Sequence, residues 1–205
     1  GPPDPALARA LGLPQDLQLI AGTTDSVAAA LATGLSAPGD AATALGSTLA
    51  LKVLTPHPVF AAEVGVYSHR ILGLWLAGGA SNSGGAVLRH FFNDARLRDL
   101  SARIDPACDS GLDYYPLLSP GERFPINDPA WPPRLTPRPE DDVRFLHGLL
   151  EGISAIEVAG YRQLQALGAP YPRQVLSTGG GAANSAWQAL RARRLGIPVR
   201  RAAPT

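Results

Sequence analysis

The chain holds no methionine and a single cysteine, Cys108, in 205 residues. One thiol excludes an internal disulfide and a multi-cysteine metal centre. Lysine is as scarce. Lys52 is the only one and follows Leu51, so the Gly-Lys-Ser/Thr of a Walker A loop is missing. His57, His69, His90 and His147 are scattered, with no pair at a zinc-ligand spacing. A Rossmann fingerprint starting at Gly179 fails twice: Asn184 stands where the third glycine belongs, and no acid follows Glu157 to take a ribose. No uninterrupted apolar run is long enough for a bilayer and no stretch reads as a signal peptide, so no membrane partner is expected and the default compartment is the cytoplasm. A formal net charge of +1 offers no broad field for nucleic acid. Arg191, Arg193, Arg194, Arg200 and Arg201 crowd the end and read as a solvated helix face plus an edge strand.

What is present is globular: 45% hydrophobic and 17% charged residues. The length suits one domain or part of a larger protein. The missing methionine and the linker-like opening Gly1-Pro2-Pro3-Asp4-Pro5 favour a piece of a longer chain.

Pattern and punctuation predict a helix over 6–11, a buried strand over 17–21 and a helix from Ser26 to about Thr33, ended by Gly34. Strands 41–45 and 50–54 flank Gly46-Ser47-Thr48, and a hairpin pairs 64–69 with 74–77 through Leu72-Gly73. A polar turn over 78–85 opens a helix bearing Val87, Leu88, Phe91 and Phe92. Residues from about 105 to 139 are rich in proline and aromatics and read as an ordered loop. Apolar positions then recur at helical spacing over 140–168. A strand (173–177), a glycine turn (179–184), a helix (185–195) and a last strand (199–202) follow. Strands and helices alternate but hairpins intrude, which predicts an α/β domain with a mixed sheet flanked by helices.

Chemistry concentrates at three junctions. Glycine turns ahead of helices expose backbone N–H groups that suit phosphate. Gly179–Asn184 has this form, and Gly46-Ser47-Thr48 adds two hydroxyls. Asp25 follows Gly22-Thr23-Thr24 at a strand-to-helix junction and is the candidate base. Each has a plainer reading: Asp25 as an N-cap, Gly179–Gly181 as a tight turn, Gly46-Ser47-Thr48 as a hairpin bulge. Ser81 and Ser83 invite a serine-hydrolase reading, but the closing glycine of a nucleophile elbow is missing.

Together, Ala21-Gly22-Thr23-Thr24-Asp25-Ser26, Gly39-Asp40 with Leu45-Gly46-Ser47-Thr48, Gly78 to Gly85, and Gly179-Gly180-Gly181-Ala182-Ala183-Asn184 resemble the C-terminal domain of FGGY carbohydrate kinases. Ser110 to Pro116 and Gly121-Glu122-Arg123-Phe124-Pro125 resemble its D-ribulose-kinase or xylulose-kinase-like branch. The resemblance runs from about Leu11 to Thr205. It implies an actin-like ATPase (ribonuclease H-like) lobe, ATP with Mg²⁺, and a ketose or polyol as substrate. It implies Asp25 as catalytic base, Gly46, Ser47 and Thr48 at the ATP phosphates, and Gly180, Gly181, Asn184 and Trp187 at the adenosine. It makes Glu151 and Glu157 structural. It also implies a fragment, 1–205, that works against its own N-terminal lobe and lacks a final helix, so that alone it turns over little or nothing.

Overall fold

A computed structural model describes residues 1–203 except 15, 21 and 72. Six strands form one mixed sheet: β1 (Asp40–Leu45), β2 (Leu49–Thr55), β3 (Tyr67–Ile71), β4 (Leu74–Ser81), β5 (Gln174–Thr178) and β6 (Val199–Arg201). Their spatial order is β3-β4-β2-β1-β5-β6. β1, β5 and β6 run parallel, and the β1–β2, β2–β4 and β3–β4 pairs are antiparallel. The expected mixed sheet is therefore observed. The parallel pairs need long crossovers and the antiparallel ones short turns, and the chain supplies both.

Strand alternation splits the sheet into two faces. Ala41 and Leu45 of β1, with Leu49, Leu51 and Val53 of β2, join the main core. Ala42, Leu54 and Leu76 point the other way, into a smaller cluster closed by Val27, Ala30 and Leu35. The first face is covered by α5 (Asp142–Ala166), 25 residues and so about 37 Å long. Leu146, Leu149, Leu150, Ile153, Ile156 and Leu164 bury its apolar stripe. Asp141 caps its start, accepting from the N–H of Val143 at 3.0 Å. α6 (Ser185–Leu195) packs beside α5, together with α4 (Asp94–Ala102) and the short α3 (Gly85–Phe91). The second face carries α2 (Asp25–Ala32), while α1 (Pro5–Ala10) buries nothing.

Residues 105–139 contain no helix or strand among those described, only isolated bridges such as Tyr115 to Arg134. The segment is nonetheless held. Glu122 is buried with no cation beside it among the described residues, and its carboxylate accepts from Ser81 Oγ (2.6 Å), Asn82 N (2.7 Å), Arg123 N (2.8 Å) and Tyr115 Oη (2.9 Å). At Gly152 of α5 a Cβ would sit 2.7 Å from the Tyr114 carbonyl oxygen, so this glycine lets the loop dock.

Several expectations need correction. Residues 17–20 form no strand, and Ala21 lies outside the described residues. Leu19 and Ile20 are 56% and 88% exposed, because an apolar run becomes a strand only beside a partner and neither sheet edge takes it. The polar turn over 78–85 starts later, since β4 continues through Ser81 to complete its pairing with β2. The hairpin strand begins at Tyr67, not Val64, which closes a 3-10 turn; Leu72 of its turn lies outside the described residues. Arg191 is not on a solvated face. It is 1% exposed and pairs with Glu157 at 2.6 Å.

Candidate functional site

The tip Gly46-Ser47-Thr48 joins β1 to β2 and leans on the start of α3. The N–H groups of Gly85 and Ala86 donate to the carbonyls of Gly46 and Ser47 at 2.9 and 3.0 Å. Gly84 permits this approach: its φ is +149°, and a Cβ there would lie 2.7 Å from the Thr48 carbonyl carbon. The N–H groups of Ser47 and Thr48 donate to no other described residue, and both residues are exposed. Arg89, one turn into α3, donates from Nη2 to Ser47 Oγ at 2.9 Å.

The second glycine junction touches the first. A Cβ at Gly179 would meet the Leu45 carbonyl oxygen at 2.7 Å and Gly46 N at 3.1 Å. A 3-10 turn over Gly180–Ala183 follows, and Asn184 caps α6, its Oδ1 accepting from Trp187 N at 3.0 Å. The same side chain donates from Nδ2 to Ser101 Oγ at 2.8 Å and so ties α4 to the turn. Trp187 is 1% exposed and its Nε1 donates to Ser154 Oγ at 3.1 Å. Its ring lies under Gly181, where a Cβ would come within 2.6 Å of Cζ3, whereas Gly180 faces open space. Trp187 is thus a floor and not a free-standing stacking plate.

Between these parts opens a cavity of about 490 Å³, the size of a small-molecule site. Leu45, Leu88, Leu97 and Trp187 give it apolar walls; Gly180, Gly181, Asn184, Arg89, Arg98 and Asp94 give it polar ones. Of the sequence-predicted residues, Gly180, Gly181, Asn184 and Trp187 line this cavity, whereas Gly46, Ser47 and Thr48 do not and adjoin it through Leu45 and Arg89. Neither Arg98 nor Asp94 makes a side-chain hydrogen bond or ion pair with another described residue.

Asp25 stands apart. It is the first residue of α2, with Thr24 in the cap position, so it is not the N-cap. Its carboxylate is exposed and, among the described residues, accepts only from the Ser26 N–H, at 2.7 Å. α2 packs on the second face, while the cavity walls Leu45, Leu88 and Trp187 belong to the first-face core. No hydrogen bond or ion pair joins Asp25 to either glycine junction among the described residues. A smaller cavity of about 190 Å³ separates Ala29 and Ala32 of α2 from Gly179, Ala182 and Arg201.

The serine-hydrolase reading fails on burial. Ser81 and Ser83 are 1% and 0% exposed, and Ser81 is engaged with Glu122. Glu151 and Glu157 both sit in ion pairs under α6, with Arg194 (2.7 Å) and Arg191 (2.6 Å). Burial works against the Arg191 charge, but the Glu157 carboxylate outweighs it and holds the guanidinium's pKa above its usual value. Thr43 and Tyr161 complete this cluster beneath β1. Among the described residues no three His, Cys, Asp or Glu side chains are grouped to hold a metal ion. No helix among them is long and apolar enough to cross a membrane.

Sequence reasoning missed Arg89 and Glu122. Arg89 was legible as the residue one helical turn after Gly85. Glu122 lay inside a motif but carried no sign that two of its four partners, Ser81 and Asn82, stand 41 and 40 residues earlier.

Residues 39–205 match the model of the FGGY family of carbohydrate kinases, C-terminal domain. Solved structures agree in fold. A xyloylose kinase from Brucella ovis superposes with a TM-score of 0.75 at 23% identity, over 97% of this chain and 42% of its own. A xylulose kinase from Rhodospirillum rubrum gives 0.72 at 24%, over 97% and 42%. A gluconate kinase from Lactobacillus acidophilus gives 0.74 at 20%, over 96% and 42%. The chain thus spans about two fifths of these proteins' length, and shares the actin-like ATPase fold of FGGY sugar kinases. The match over 39–205 makes this chain a member of the FGGY family of carbohydrate kinases, carrying its C-terminal domain.

Proposed function

We propose that this chain is the nucleotide-binding, base-bearing half of an ATP-dependent kinase that phosphorylates a ketopentose such as D-ribulose or xylulose. The observation that carries the reading is the contact between two glycine junctions. A hairpin tip with two unengaged N–H groups shares a wall with a cavity of about 490 Å³ floored by Trp187. An adenosine in the cavity would send its phosphates toward Gly46, Ser47 and Thr48, with Gly180 and Gly181 letting the nucleoside lie close to backbone and Asn184 holding the turn in place. The tip's hydroxyls and N–H donors suit phosphate oxygens, and Mg²⁺ would arrive on the nucleotide, held by its phosphates and by waters.

Asp25 is the base in this reading. Phosphoryl transfer has a loose transition state and depends mainly on positioning. The carboxylate therefore need only accept a hydrogen bond from the attacking hydroxyl and take its proton late. Because α2 is on the face opposite the cavity, the acceptor sugar approaches across the strand ends, past the tip at Ser47 and Thr48. The N-terminal lobe supplies the opposite wall of this cleft, so the chain alone turns over little. Sugar choice rests on polar groups that pair with particular hydroxyls.

The test is ADP release by the complete protein against a panel of ketoses and polyols, before and after Asp25→Asn. The expected result is a kcat loss greater than about tenfold, ~1.4 kcal/mol of barrier, with ATP affinity within about threefold. The separation of Asp25 from both junctions favours a second reading, an actin-like lobe that binds nucleotide or a partner without chemistry. Retained nucleotide binding with no sugar phosphorylated by the complete protein selects it.

A further inference from the structure

We infer that Arg89 is the phosphate-positioning residue of this site, the cation that lets the cavity distinguish a nucleotide from its nucleoside. The inference rests on the nucleotide reading above. Arg89 is the one charged side chain that both lines the cavity and touches the hairpin tip, through its 2.9 Å bond to Ser47 Oγ. Its only side-chain partner among the described residues is that neutral hydroxyl, so the guanidinium has no counter-ion. Of the other arginines close by, Arg96 is paired with Asp99 and Asp142 and Arg191 with Glu157, while Arg98 lines the cavity unpaired but makes no hydrogen bond to the hairpin tip among the described residues.

The site needs such a cation. The Walker lysine is absent, and Lys52, the only lysine, lies buried in β2 on the second face of the sheet. The start of α3 cannot serve, because its Gly85 and Ala86 N–H groups are already given to the tip carbonyls. What faces an anion at the tip is the pair of N–H groups of Ser47 and Thr48, with Arg89 beside them. A guanidinium presents parallel donors to phosphate oxygens, and such charge-assisted bonds exceed neutral ones. Placed against Ser47, it would hold the phosphate tail in line with the tip while Trp187 and Leu45 take the base.

The test compares ADP with adenosine by calorimetry in the complete protein and in Arg89→Ala, Arg89→Lys and Arg98→Ala. The expected result for Arg89→Ala is a loss of ADP affinity of about tenfold to a hundredfold, with adenosine affinity within about threefold and the melting temperature unchanged. Arg89→Lys should recover part of the loss, keeping the charge without the fork. Arg98, one turn before Ser101, should leave the ADP-to-adenosine ratio within about threefold when truncated. An unchanged ratio in Arg89→Ala, or a collapse of the ratio in Arg98→Ala alone, overturns the inference. If the unmutated protein binds neither ligand, the nucleotide reading itself fails, and the role of Arg89 fails with it. If the unmutated protein binds ADP and only the ratio is insensitive to Arg89, the nucleotide reading survives.

Discussion

Two adjacent glycines illustrate how differently neighbouring residues are constrained. Gly180 has nothing within 4 Å of its missing Cβ, whereas at Gly181 a Cβ would strike Trp187 at 2.6 Å and Leu45 at 2.8 Å. Gly181→Ala is therefore expected to lower stability by about 1–3 kcal/mol through overpacking. Gly180→Ala should melt like the unmutated protein and weaken only ligand binding, because its methyl enters the cavity. Thermal melts with and without ADP check both. Arg191 offers a second case. Truncating it to methionine strands the Glu157 carboxylate in the core, at an expected cost of about 3–5 kcal/mol, read by urea denaturation. Neither distinction is legible in the sequence. Gly-Gly-Gly looks uniform, and Arg191 looks like its exposed neighbours until β5, α5 and α6 close around it.

At the scale of elements, β2 carries a charge where a strand buried on both faces calls for apolar residues. Lys52 is 4% exposed and its Nζ has no hydrogen-bond partner among the described residues, lying 4.2 Å from the centroid of the Tyr67 ring. Register explains the pocket: Lys52 faces Gly78 on β4, which faces Tyr67 on β3, so the missing side chain at 78 makes room for both neighbours. Burial lowers the amine's pKa to about 8 from 10.5. Below about pH 8 the native state carries the full cost of a buried ammonium. Between that value and 10.5 the unfolded chain binds a proton that the native state does not, so stability rises with pH across this window. The difference between the unmutated protein and Lys52→Met should therefore shrink by on the order of 3 kcal/mol from neutral pH to about pH 10, with the variant the more stable at neutral pH. Comparing the two proteins cancels Tyr161, which burial raises and which acts in the opposite direction at high pH. The loop over 105–139 is the other element whose behaviour depends on one residue. Glu122 accepts four hydrogen bonds, so Glu122→Ala should leave Ser81 and Tyr115 unsatisfied. Proteolysis within 116–134 is expected to quicken at least about tenfold, the effect of ~1.4 kcal/mol on local opening.

For the whole molecule, sequence and structure contributed different things. Element types followed from local rules: α5 from the 3.6-residue stripe and its Asp141 cap, α6 from Asn184 ahead of Ser185 and Gly196 behind it, the β1–β2 pair from alternation around Gly46. The order of the motifs along the chain resembles the family's without reference to the fold. The segment over 17–20 defeated the same rules, because strand formation needs a neighbour that hydrophobicity alone does not name. The meeting of Gly179 with Gly46 joins residues 133 positions apart, and depends on β5 docking parallel to β1 after the long crossover of α5. So does the cavity behind them, and so does the placement of α2 and Asp25 on the face away from it. The sequence by itself determined most of the helices, strands and glycine turns, with the segment over 17–20 and α4 as exceptions, because those elements depend on neighbours within a few residues. Only tertiary structure decided that the two glycine junctions meet, which cavity arginine touches the hairpin tip, and on which side of the sheet the candidate base lies, because these depend on pairing and packing between residues far apart in the chain.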